Sequence, residues 1–108
     1  MSTTVLSEMI SIMTDLLSLE KIVLFGSYAH KKQTPDSDLD FLIITKDPIA
    51  NNKDRRDMIS KLRRVLSKFR IPKDFLVYDR VEVDKWKSTT NHIISRAIKE
   101  GKVLYERS

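Results

Sequence analysis

The sequence predicts an α/β (α+β) domain, a small mixed β-sheet with helices packed on it. Three observations carry that expectation. Short apolar runs bounded by turn residues, Ile22-Val23-Leu24-Phe25 and Phe41-Leu42-Ile43-Ile44, read as buried strands. Between the second run and a third, Asp74-Phe75-Leu76-Val77-Tyr78, lies a stretch with one continuous apolar stripe at helical spacing. Strand, helix, strand implies a right-handed crossover and a parallel pair, whereas the loop joining the first two strands is too short for a crossover and makes them antiparallel.

Taken in order, Thr4 to about Leu19 reads as an amphipathic helix, with Val5, Leu6, Met9, Ile10, Met13, Leu16 and Leu17 on its apolar side and Ser2 to Thr4 as caps. Lys21 to Phe25 is the first strand, and Gly26-Ser27 ends it. Pro35-Asp36-Ser37 is the turn into the second strand, with Asp36 a turn residue. Thr45 to Asn52 is a loop containing Pro48. Lys53 to about Phe69 is the clearest helix, its stripe made by Met58, Ile59, Leu62, Val65, Leu66 and Phe69, and Pro72 stops it. Beyond the third strand Trp86 is expected in the core. Ser88 to Glu100 makes a last helix, stopped by Gly101, and Val103-Leu104-Tyr105 closes the chain as an edge strand or packed tail. His92 sits among polar cap residues, and no chemistry is assigned to it.

The 108 residues make one domain, 1–108, with room for one modest core. Hydrophobic content of 41% with 32% charged residues describes a globular chain and excludes a disordered one. Cysteine is absent, which removes disulfides, thiol catalysis and thiolate metal sites. No stretch could cross a bilayer and no signal peptide is present, so a cytoplasmic location is the expectation. The formal charge of +5 is uneven: Lys46 to Lys73 holds ten Lys or Arg against three Asp, a net of +7. A polyanionic partner would explain that segment, but the cations keep helical spacing, and a solvated helix face is the preferred reading.

The candidate chemistry lies where the first two strands meet. Asp38 and Asp40 open the second strand at spacing i, i+2, which puts both side chains on one face. Carboxylates so placed repel unless a cation sits between them, and oxygen ligands select a hard one, Mg²⁺ or Mn²⁺. Parallel pairing brings the start of the third strand, and Asp74, to the same edge. The antiparallel first strand ends there too, delivering Gly26-Ser27, whose backbone and hydroxyl suit a phosphate. Asp79 and Glu82 compete as third carboxylate, but Asp79 lies at the far end of the strand on the opposite face, and Asp74 is preferred. His30, Lys31 and Lys32 read as surface loop residues beside this edge.

Gly26-Ser27, Ala29 and then Ser37-Asp38-Leu39-Asp40-Phe41 resemble the GS…DxD signature of the DNA polymerase β-like nucleotidyltransferases, and most of all their minimal members. Lys31 and Tyr28 stand where the family usually has glycine and often arginine. The resemblance implies a nucleotidyltransferase fold and an Mg²⁺-dependent transfer of a nucleoside monophosphate, AMP from ATP. Gly26 and Ser27 would hold the β,γ-phosphates, Asp38 and Asp40 two Mg²⁺ ions, and Asp74 would complete one metal site and help deprotonate the acceptor. It further implies a HEPN-type toxin as partner, with this chain as antitoxin modifying a hydroxyl on it. Two alternatives stand beside this: a non-catalytic antitoxin or assembly subunit acting by binding alone, and a nucleic-acid-binding module on the basic segment. The second is disfavoured because Phe69 is the one aromatic residue from Lys53 to Lys73, and it belongs to the apolar stripe.

Overall fold

The apolar runs become strands covered on both faces. The computed structural model describes residues 3–26, 37–89 and 92–107. Within them the order is α1 (Thr3–Leu16), β1 (Leu19–Phe25), β2 (Leu39–Thr45), α2 (Asn52–Val65), β3 (Lys73–Asp79), α3 (Arg80–Trp86), α4 (Ile93–Glu100) and β4 (Lys102–Glu106). The four strands form one mixed sheet in the order β3-β2-β1-β4. β1 runs antiparallel to β2, with Ile22 opposite Ile43 and Phe25 opposite Asp40. β2 and β3 are parallel, with Asp40 beside Asp74 and Phe41 beside Phe75. β4 pairs antiparallel with the other side of β1, placing Lys21 opposite Glu106.

Strand alternation divides the core. Ile22, Leu24, Phe41, Ile43, Phe75 and Val77 face α1 and α2, where they meet Met9, Met13, Leu62 and Leu66. Val23, Leu42 and Ile44 face the other way and pack on Val83 of α3 and on Ile94 and Ala97 of α4. Burial on both faces explains why β1 and β2 read as unbroken apolar runs rather than alternating ones. No helix among the described residues is long and apolar enough to cross a membrane.

The predicted elements are present, with three corrections at their ends. α1 closes at Leu16 rather than near Leu19, because Leu19 is taken into β1 and pairs with Thr45. α2 ends at Val65 rather than Phe69. Leu66 leaves the helical region at φ −100° and ψ 6°, and the turn that follows is held by the Lys73 ammonium donating to the carbonyls of Phe69 and Ile71. The last helix starts at Ile93, not Ser88. His92 is its N-cap, accepting the Ile94 amide on Nδ1, and Ser95 Oγ donates back to the carbonyls of Thr89 and His92. His92 also stacks on Trp86, ring centroids 4.4 Å apart.

α3 was not expected. Its start is a capping box: Asp79 accepts the Glu82 amide at 2.8 Å, and Glu82 accepts the Asp79 amide at 3.0 Å. Gly101 does stop α4, but with φ −80° it does so without a left-handed turn. What requires glycine there is space, since a Cβ would lie 2.3 Å from the Ala97 carbonyl oxygen and 2.5 Å from Val23 Cγ1.

Candidate active site

Three strand ends converge on one edge of the sheet. β1 delivers Gly26, Asp38 stands just before β2 and Asp40 within it, and Asp74 is the second residue of β3. A hydrogen bond from the Leu39 amide to the Pro72 carbonyl, 2.8 Å, ties the starts of β2 and β3 together. The parallel register then makes Asp40 and Asp74 direct neighbours.

Gly26 adopts φ +73°, and a Cβ on it would fall 2.3 Å from Asp40 Oδ2. The residue is therefore bare for two reasons, conformation and contact, and its missing side chain keeps that carboxylate oxygen open. Asp40 is half-buried, and its carboxyl is pushed above the ordinary value of 3.8, first by burial, then by the neighbouring charges of Asp74 and Asp38. Asp38 is exposed at the rim. Gly26 also lines a cleft of about 250 Å³ together with Phe25, Ile93, Arg96, Ala97 and Glu100.

Asp74 has partners of its own. Its Oδ1 accepts from Arg63 Nη2 at 3.2 Å and from the Phe75 amide at 3.2 Å. Arg63 was read from the sequence only as one cation of a solvated face. It stands in the last turn of α2, eleven residues before Asp74, and the fold lays that turn over the start of β3.

Asp79 and Glu82 stand at the opposite end of β3, where Asp79 is beside Thr45. Asp79 is buried, and its Oδ2 accepts the Ile49 amide at 2.9 Å, so both oxygens serve the fold. Glu82 is gripped by Arg55 through two bonds of 3.0 and 2.6 Å. Neither reaches the Gly26 edge. Ser27, His30, Lys31, Lys32 and Asp36 lie outside the described residues.

Among the described residues no three His, Cys, Asp or Glu side chains stand close enough together to hold a metal ion as they are. The chemistry of the edge nevertheless fits a hard divalent cation. Among the described residues its acidic side chains are Asp38, Asp40 and Asp74, burial and two like charges disfavour the charged form of Asp40 so that a cation would relieve it, and Gly26 places no side chain against Asp40 Oδ2.

The polymerase beta nucleotidyltransferase family matches residues 7–108, nearly the whole chain and every strand of this edge. The chain belongs to the polymerase beta nucleotidyltransferases. No curated protein matches it. Among solved structures, this nucleotidyltransferase is similar to a Sulfolobus solfataricus protein classed as a nucleotidyltransferase, at 24% identity and TM-score 0.66, covering 96% of this chain and 79% of that one. It is also similar to a toxin–antitoxin structure with AMP-PNP, at 23% identity and TM-score 0.61, covering 95% and 74%. A third is a tri-AMPylated Shewanella oneidensis HEPN toxin in complex with an MNT antitoxin, at 21% identity and TM-score 0.58, covering 99% and 74%. At these identities the likeness establishes a shared fold for this polymerase beta nucleotidyltransferase.

Proposed function

We propose that the protein moves AMP from ATP onto a hydroxyl of a partner protein, as the antitoxin of a HEPN-type toxin–antitoxin pair. The observation that carries the reading is the edge itself: Gly26 pressed against Asp40, and Asp40 in register with Asp74, inside the family match. The partner class is supported by the toxin–antitoxin complexes among the similar structures, one with an AMPylated toxin.

In this reading Gly26 and Ser27 hold the β,γ-phosphates of ATP, and the cleft beside Phe25 and Ala97 takes the nucleoside. Asp38, Asp40 and Asp74 would hold two Mg²⁺ ions, whose charge neutralises the triphosphate and makes the acceptor hydroxyl easier to deprotonate. Asp74 accepts the acceptor's proton as the new oxygen–phosphorus bond forms at the α-phosphate. The bond to the bridging oxygen breaks in line, and pyrophosphate departs. No covalent enzyme intermediate is needed, because positioning and charge complementarity do the work.

One observation favours a second reading, an antitoxin that acts by binding alone: Asp74 is held by Arg63. Intact-mass analysis separates the two. The protein, ATP, Mg²⁺ and the HEPN-type product of a neighbouring gene should give a partner heavier by AMP, and Asp38→Ala should abolish the adduct. A tight complex whose partner gains no mass with any nucleoside triphosphate overturns the enzymatic reading.

A further inference from the structure

The contact between Arg63 and Asp74 is built, not incidental. Besides Asp74, Arg63 donates from Nη1 to the Lys73 carbonyl at 3.0 Å, and its guanidinium lies over the Phe75 ring, 5.5 Å from the centroid. One strand segment, residues 73–75, thus holds the guanidinium at three points. Lys73, the nearest cation in sequence, turns its ammonium to the carbonyls of Phe69 and Ile71 and leaves Asp74 to Arg63. Oδ1 of Asp74 is occupied by two donors, while its register partner Asp40 faces two like charges.

We propose that Arg63 is an internal counter-ion that competes with a divalent cation for Asp74, and so sets how tightly the carboxylate edge takes metal. The inference rests on the carboxylate site proposed above. A guanidinium keeps its charge at any physiological pH, so only displacement by another cation can free the oxygen it holds. The pair is half-exposed, with side-chain exposures of 51% for Arg63 and 65% for Asp74. Exposed pairs are weak, so a metal can displace Arg63 and the competition is modest in size. Arg63 is thus a positioning residue: it touches no reacting atom and acts through Asp74.

Manganese titration of the metal-stripped, nucleotide-free protein, followed by electron paramagnetic resonance, tests this. Arg63→Gln should bind Mn²⁺ about two- to five-fold more tightly than wild type. Arg63→Lys, which keeps the charge, should stay near wild type, a contrast that a packing role would not produce. Arg63→Gln combined with Asp74→Asn should lose the gain. Unchanged or weaker binding in Arg63→Gln, or a gain that survives without Asp74, overturns the proposal. If Asp38→Ala with Asp40→Asn binds Mn²⁺ as well as wild type, the carboxylate site itself fails, a result distinct from failure of the competition.

Discussion

Gly26 is the residue at which backbone and site constrain each other. Gly26→Ala meets two separate penalties, a left-handed φ of +73° and a Cβ 2.3 Å from Asp40 Oδ2. The first alone costs about 1–2 kcal/mol, so the denaturant midpoint should fall clearly. Removing the obstructing carboxylate with Asp40→Ala in the same chain should recover the clash component and leave the φ component. Full additivity of the two substitutions would show that the contact is not there. The adjacency of Asp40 and Asp74 was legible in the sequence because parallel pairing of strands that start at one edge places carboxylates by arithmetic. Arg63 was not. Its spacing on α2 fits a solvated face equally well, and only the tertiary register shows that its end of the helix overlies residues 73–75.

At the scale of elements, the junction of β3 and α3 separates structural from site carboxylates. Asp79 uses both oxygens as acceptors, for the amides of Ile49 and Glu82, and is buried. Asparagine offers one acceptor oxygen and a pair of donors, so one buried amide loses its partner. Asp79→Asn should therefore cost about 1–3 kcal/mol in chemical denaturation, while Asp74→Asn, at an exposed rim, should cost little stability. Equal losses would mean that Asp79 is not the cap described. The strands and α2 could be read from apolar pattern, since their burial is continuous. α3 could not, because it spans seven residues and its apolar members are split: Val83 is buried and Val81 is 69% exposed. The pattern Asp79-x-x-Glu82 was the signal available, a capping box without a following stripe. The start of α4 misled for the opposite reason. Several residues from Ser88 onward can cap a helix, and sequence alone does not say that His92 does so.

For the molecule as a whole, the site and the fold oppose each other at Asp40. Its folded carboxyl titrates above the ordinary 3.8, so the charged form is disfavoured on folding. Below that ordinary value the group is neutral in both states and costs nothing. As pH rises from 3.8 through the raised value, the fold loses stability, and the loss persists at neutral pH. Asp40→Asn removes a charge that burial and two neighbours resist. It should raise the thermal midpoint near pH 7 by on the order of a few degrees, while abolishing transfer. Calorimetry near pH 4 should find the gain shrunken. A gain equal at both values would attribute the effect to packing instead of charge.

The strand order β3-β2-β1-β4 also fixes a sequence in time. Gly26, Asp38, Asp40 and Asp74 all precede residue 80, and the three strands carrying them are neighbours in the sheet. β4 is the latecomer: Lys21 must find Glu106 across most of the chain, and closing so long a loop is slow. A chain emerging from a ribosome can thus align its carboxylate edge before the far side of β1 is covered. Until β4 and α4 dock, Val23 and the open flank of β1 stay exposed to other strands. The order that assembles the carboxylate edge early leaves self-association as the hazard of the last step.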